Sequence, residues 1–481
     1  MKFTNPLKDK RFRYGTLSTA MMIIAVVIFV LVTLVAEEFN RNWDLTAEQM
    51  FSLSPQSERF LEELDVDITL YYLVRTGGED LIISQLLSEY AAASPHITVE
   101  IRDPMINPAF LHQFAGGAEG GIHEGSVIVR GPHGFRVVGP DDMETVVFNW
   151  QIFQEITDSF DHERAITQAI HALTLGEPPV VYYITGSLEP PLTEAFVEFM
   201  ASENFIVREH NALIHDIPET ADALIIAMPG RDWGTLKADR ILDFLDNNEG
   251  RVFMALDVMH EPFPELSRVL EAYGLVLGDF IIIEGDSRRT IGGNPAWMLP
   301  LPFPHEYIMD PLQREGFVQF MWAPTGIDIA PMPRPSTSFY PLLSTTRDAY
   351  GRYVNSDAET ILRVPEDEEG PFLLAVAVSD TTFVQQPPHT SRLVVVANRA
   401  ILDEGVNNSI GGGNWAFIAN SMNWLQDQPP GIFVPVRRPP GRTPLMLNDA
   451  QVFTMSGIAI GGIPAILLGI GIFVWFRRRH S

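Results

Sequence analysis

Two long uncharged runs constrain this chain more than any other feature. Residues 16–36 contain 21 consecutive uncharged residues, with a stretch from Met21 to Val32 that is almost wholly aliphatic. Residues 452–476 contain 25 more, and Arg477, Arg478 and Arg479 follow at once. A helix rises about 1.5 Å per residue, so either run is long enough to cross a hydrocarbon core of about 30 Å. The first run is longer than the apolar part of a signal peptide, and Leu34 before Ala36 fits a cleavage site poorly, so it reads as a retained anchor. Basic residues flank each run on its outer side in sequence. By the positive-inside rule this predicts two transmembrane helices in the cytoplasmic (inner) membrane, both termini cytoplasmic, and residues 37–451 outside the cytoplasm. In the second run Gly457, Gly461, Ala465 and Gly469 recur every four residues. Such a stripe is expected to act as a helix-packing seam, and Pro464 is expected to bend the helix.

Charge separates the ends from the interior. Residues 1–15 carry +4 and the three closing arginines +3 of a net charge of −28, which leaves −35 between them. An interior this acidic repels phosphate backbones, so nucleic acid is not an expected partner. The chain has no cysteine, which excludes disulfides, thiol catalysis and cysteine metal sites. Only four lysines occur, and Lys237 alone lies beyond the first run.

Between the runs the pattern is α/β. Ser54 followed by Pro55 predicts a helix N-terminus with proline at the first helical position, and Thr46 with Gln49 fits a capping box. Strands are expected over 68–74 and 97–101. A helix is expected over 81–92, with Leu81, Ile82, Leu86, Leu87 and Tyr90 on one side. A hairpin follows across residues 131–134, then a helix over 165–175. The order β-α-β-(α)-β-β-α suggests a small α/β domain over 37–176, with a thioredoxin-like arrangement and no redox cysteines. Glu177-Pro178-Pro179 reads as a boundary. Continuous apolar strands over 180–184, 223–228 and 251–256 alternate with helices, which predicts a larger, doubly wound, mostly parallel sheet over 177–428. Residues 285–370 are rich in proline and glycine and show no clear period. They read as an insertion lying over one edge of that sheet or as a contact surface for a partner. Residues 429–451 read as a stiff linker.

No phosphate-binding G-x-x-x-x-G-K-[ST] loop, G-x-S-x-G elbow or H-E-x-x-H motif is present. The twelve histidines are scattered, and His112, His123 and His133 lack ligand spacing, so no metal is expected. No cofactor is expected. Ligands of an open α/β sheet sit beyond the carboxyl ends of its strands. Those ends carry Gly186 and Glu189, Pro229, and Asp257, which makes these four the candidate ligand-binding residues. Turn-forming glycines and helix-capping carboxylates explain them more simply. Gly411-Gly412-Gly413-Asn414 before a helix reads as an anion site or, more simply, a turn with a cap.

Several short motifs, in order, resemble one known family. Trp43-Asp44-Leu45-Thr46 and Ser52-Leu53-Ser54-Pro55 follow the first run. Tyr183-Ile184-Thr185-Gly186 with Glu189 follows the boundary. Ala223-Leu224-Ile225-Ile226-Ala227 with Pro229, and Gly250-Arg251-Val252-Phe253 with Leu256-Asp257, come next. Asn420-Ser421-Met422-Asn423-Trp424-Leu425 and Arg442-Thr443-Pro444-Leu445 close the series. With two flanking runs, this layout resembles the Gldg-type (gliding-motility-associated) auxiliary component of ABC transport systems. The family turn Gly-His-Gly-Glu is here Gly186-Ser187-Leu188-Glu189. The resemblance implies a non-enzymatic, membrane-anchored auxiliary subunit partnered by an ABC-type ATPase and a multi-span permease. A ligand-sensing or solute-binding module and a membrane-tethered hydrolase are the alternatives.

Overall fold

The structure is a computed structural model. It describes residues 21, 22, 24, 26, 28, 52–106, 108–114, 121–149, 154–247, 249–259, 261–354, 356, 360, 362–382, 389–434, 437, 454–462 and 464. The chain divides into two compact units, Met1–Ser52 and Leu53–Ser481. In the first, residues 21, 22, 24, 26 and 28 are helical and exposed. The Thr46–Gln49 capping box lies outside the described residues.

The second unit begins where the sequence places a helix. Ser54 caps Pro55–Glu62, its hydroxyl accepting from the Ser57 amide at 3.3 Å, with proline in the first turn. Strand β1 (Ile68–Leu73) pairs in parallel with β2 (Ile97–Arg102) through the helix Leu81–Ala93, which Asp80 caps. Strand β3 (Val127–Gly131) runs antiparallel to β1 and forms a hairpin with β4 (Gly134–Val138), giving the order β2-β1-β3-β4. The helix Leu81–Ala93 buries Ile83, Leu86, Leu87 and Tyr90, whereas Leu81 is exposed. The apolar face expected from sequence thus starts at Ile83 rather than at Leu81. A second hairpin, β5 (Glu144–Asn149) and β6 (Gln154–Phe160), leads into the helix His162–Thr174. Buried Ile166, Ala169, Ile170 and Leu173 of that helix close the small sheet's core.

The larger sheet has ten strands. Strands β7 (Val180–Thr185), β8 (Ile206–Asn211), β9 (Ala223–Ala227) and β10 (Arg251–Ala255) are joined by crossover helices Glu194–Ser202 and Thr235–Asn247. They pair in parallel, β9 between β7 and β10, with β8 outside β7. A helix Pro264–Ala272 follows β10, then β11 (Leu275–Leu277) and β12 (Phe280–Ile283). The described residues of 285–370 form β13 (Thr290–Ile291), β14 (Asn294–Met298), β15 (Leu301–Pro302), the helix Met309–Arg314, β16 (Met321–Trp322), β17 (Ile327–Ile329), β18 (Thr337–Ser344), β19 (Tyr350–Tyr353) and β20 (Glu368–Glu369). Strands β21 (Leu373–Thr382) and β22 (His389–Val396) complete the sheet, whose path is β11-β17-β21-β22-β10-β9-β7-β8, with β18 paired to β21 and β15 to β18. Parallel pairing ends at β22, because β21 and β22 are joined by only residues 383–388, too few for a crossover. The expectation of a mostly parallel sheet therefore holds for five strands, and β11, β15, β17, β18 and β21 extend the sheet antiparallel.

Alternation along the central strands divides the core into two layers. Tyr183, Ile225, Phe253 and Val394 face the helices Glu194–Ser202 and Gly413–Leu425. Ile184, Ile226, Met254 and Val395 face Thr235–Asn247 and Pro264–Ala272.

The transmembrane part of the expected fold class is corrected here. No helix among the described residues is long and apolar enough to cross a membrane. Among the described residues of the second unit the longest helices have 13 residues, about 20 Å, against about 30 Å of hydrocarbon. In the second run the described helix passes into a π-helical segment, Ile458–Gly462. Most of residues 16–36 and 452–476 lie outside the described residues. The expected placement in the inner membrane, with both termini cytoplasmic and residues 37–451 on the far side, rested on two spanning helices and is corrected with them. An uncharged run fixes hydropathy, whereas a span also requires an unbroken helix of sufficient length.

One buried carboxylic acid couples the small sheet's closing helix to the large sheet's first helix. Glu203, just past Glu194–Ser202, accepts a hydrogen bond from the Gln168 side-chain amide at 2.5 Å. Burial pushes its carboxyl up to about 8 from 4.5, against the opposing pull of Gln168, Arg164 and Arg136. Between those values the folded chain keeps a proton that the unfolded chain has released, so Glu203 lowers stability as pH rises from 4.5 to 8. Glu203→Gln is expected to melt progressively higher than the parent across that window, with the gap constant above it. Thermal unfolding at a series of pH values checks this.

Candidate functional site

The carboxyl edge of the parallel strands brings three of the four candidate residues together. Gly186 ends β7 with φ +112°, and a Cβ there would lie 2.5 Å from Asn211 Oδ1 and 2.9 Å from Leu213 Cβ. Only glycine fits that conformation in that space. Leu188 follows at φ +63° and points outward. The loop after β9 closes over this turn: Gly230 N donates to Leu188 O at 3.2 Å, and Arg231 N to Ser187 O at 3.2 Å. Pro229 is buried beside them. Chain order reverses here, since β8 and β9 lie on opposite sides of β7, and ligands of open α/β sheets bind at such a position.

The position is filled by the chain's own side chains. Lys237, from the first turn of Thr235–Asn247, forms a buried ion pair with Glu189, and both side chains are 0% exposed. The ammonium also donates to Thr185 O at 3.3 Å and Ser187 Oγ at 3.4 Å, and it lies 5.3 Å from the centre of the Trp233 ring. The other Glu189 oxygen accepts the Ser187 amide at 2.6 Å. Burial holds the Lys237 ammonium below the usual lysine range, and its bond to Glu189 opposes the fall. Glu189 is thus bonded through one oxygen to its own turn and through the other to the helix Thr235–Asn247.

Asp257 stands apart. It ends β10, two strands from β7, about 10 Å away at the ordinary strand spacing. Its carboxylate accepts the Val258 amide at 3.0 Å and lies 4.0 Å from the Arg399 guanidinium, which follows β22. The structure therefore pairs Glu189 with Lys237 and Asp257 with Arg399, rather than converging the two carboxylates. The triple-glycine segment is a packing joint. A Cβ on Gly413 would lie 2.0 Å from Val318 O. Asn414 exchanges hydrogen bonds with the Phe320 backbone at 3.0 and 2.9 Å, and Asn407 Oδ1 takes the Trp415 amide at 3.0 Å. In the expected helix seam, Gly457 and Gly461 have no atom within 4 Å of an added Cβ, while Ala465 and Gly469 lie outside the described residues.

Sequence reasoning missed three features. Lys237 was legible as the lone lysine of the interior, but its partner was not. The second is a cleft of about 920 Å³ beside the end of β10, formed by the loop into Pro264–Ala272 and the segments around β19 and β20. A third surface lies on β14 and β16, where Trp297 and Trp322 are directly opposed and 38% and 57% exposed. Directly opposed residues share a face of the sheet, so the two indoles form one apolar surface.

Residues 47–133, less than half of the chain, match a family described as a domain of unknown function (DUF7088). The match covers β1 to β3 and the helices between them. No curated protein matches. Among solved structures, the chain is similar to the mmIFT52 N-terminal domain at 11% identity, with 51% of this chain and 96% of that one covered and a TM-score of 0.37. It is also similar to a putative ThuA-like protein from Bacteroides uniformis at 13% identity, covering 53% and 95%, with a TM-score of 0.28.

Cutting the Lys237–Glu189 pair on one side leaves an uncompensated buried charge, which costs about 3–5 kcal/mol. Lys237→Met and Glu189→Gln are each expected to lower unfolding stability, the lysine variant by that amount. The Lys237→Met/Glu189→Leu double variant is expected to recover much of the loss. Urea unfolding of the four proteins checks this, and additive losses would contradict the coupling.

Proposed function

We propose that this chain is a non-enzymatic auxiliary subunit that works by contact with an ABC-type ATPase and a multi-span permease. The observation that carries the reading is the Trp297–Trp322 face, raised on β14 and β16. Exposed tryptophans are the residues most often found at the energetic centre of a protein contact. The motif series that resembles the Gldg-type auxiliary component supplies the identity of the partners. The Lys237–Glu189 pair is consistent with a role without acid–base chemistry, because it commits the carboxylate at the switch point to the fold.

Affinity purification of the tagged full chain from its native cells in mild detergent is expected to recover an ATPase and a multi-span permease. Trp297→Ala/Trp322→Ala is expected to lower that recovery roughly tenfold or more, with melting unchanged. Recovery of neither partner with the parent chain overturns the reading, and equal recovery with the double variant removes the tryptophan face from it.

A further inference from the structure

The cleft beside β10 has a chemistry of its own. Its apolar walls come from Met259 and Phe263 on one side and from Tyr353 and Val364 on the other. Its volume of about 920 Å³ lies within the range of roughly 300–1,000 Å³ usual for small-molecule sites. Three carboxylates, Glu261, Asp279 and Glu366, line the same space, all on exposed residues. None of the three side chains forms a hydrogen bond or ion pair among the described residues. Asp279 sits in the link between β11 and β12, and its carbonyl accepts the Val354 amide at 3.3 Å, which ties it to the end of β19.

The cation nearest this wall is already committed. Arg352 grips Asp367 with two nitrogens, one of them at 2.8 Å. Its remaining donors reach Thr360 O at 2.7 Å and Leu362 O at 3.0 Å. This guanidinium braces the segment that carries Val364 and Glu366, and its hydrogen bonds go to Asp367 and to backbone carbonyls rather than to the carboxylates of the cleft. Tyr353 is fixed in turn by its hydroxyl bond to Glu368 and by edge contact with Phe280 at 6.0 Å.

We propose that this cleft binds a small organic cation, an ammonium or guanidinium group carried on an apolar body. Carboxylates and aromatic faces both favour a cation, and the apolar walls take the rest of the molecule. An anionic ligand would meet three unpaired carboxylates in a chain of net charge −28. The site is separate from the tryptophan face and from the Lys237–Glu189 edge, so it stands independently of the partner assignment.

Calorimetric titration of the full chain with 4-phenylbutylamine tests the proposal, with 5-phenylvalerate as the carboxylate of the same shape. The amine is expected to bind saturably and the carboxylate at least tenfold more weakly. Asp279→Asn/Glu366→Gln is expected to weaken amine binding at least tenfold. Glu62→Gln/Glu63→Gln, which removes the same charge from exposed residues of Pro55–Glu62, is expected to leave it unchanged. If the cleft double variant does not fold, Glu366→Gln alone, at an exposed loop position, is expected to weaken binding severalfold. The proposal is overturned by absence of saturable amine binding, by equal binding of the two probes, or by equal losses in the two double variants.

Discussion

Burial of a parallel sheet on both faces is the constraint on which the rest of the structure depends. Strands β7, β9 and β10 are apolar at nearly every position, as is the Leu393–Val396 half of β22, so each needs cover above and below. The crossover helices supply it: Thr235–Asn247 and Pro264–Ala272 on one face, Glu194–Ser202 and Gly413–Leu425 on the other. Met298, Met309, Leu312 and Leu343, from the region after residue 285, join the second of these layers. That region is therefore part of the core as well as of the surface.

Two-sided cover also explains the buried polar groups. The helix Gly413–Leu425 is buried along almost its whole length, and its asparagines act as joints. Asn420 donates to Ile308 O at 3.2 Å and accepts from Gly431 N at 2.9 Å, holding the chain on either side of the helix. Glu163 does the same for the small sheet, accepting the Ser54 amide at 2.6 Å and pairing with Arg437. Lys237 and Glu189 extend the same device to the sheet's carboxyl edge, where a tight turn would otherwise leave backbone carbonyls and amides without partners.

Closure of that edge shifts attention to two other surfaces. The cleft beside β10 combines apolar walls with unpaired carboxylates, and the strands after it raise two tryptophans into solvent. The tryptophan face, and one wall of the cleft, come from chain that the sequence showed only as rich in proline and glycine. Short strands with mixed burial, such as β14 and β16, carry too few residues for a period to register, and their pairing partners lie far away in sequence.

The sequence alone determined the elements whose cause is local. Ser54 and Pro55 set a helix start, the apolar runs at β7, β9 and β10 announced buried parallel strands, and Gly186 marked a turn, because caps, runs and left-handed glycines act within a few residues. Tertiary structure decided what depends on distant partners. It joined β21 to β22 antiparallel, shifted the buried face of Leu81–Ala93 from Leu81 to Ile83, and placed the candidate residues Glu189 and Asp257 in two separate ion pairs. It also corrected the two spans, since no helix among the described residues is long and apolar enough to cross a membrane, and an uncharged run is a property of composition alone. Lys237 shows the division most clearly. Its rarity was plain in the sequence, and its meaning came only from the strand turn 48 residues earlier that the fold places against it.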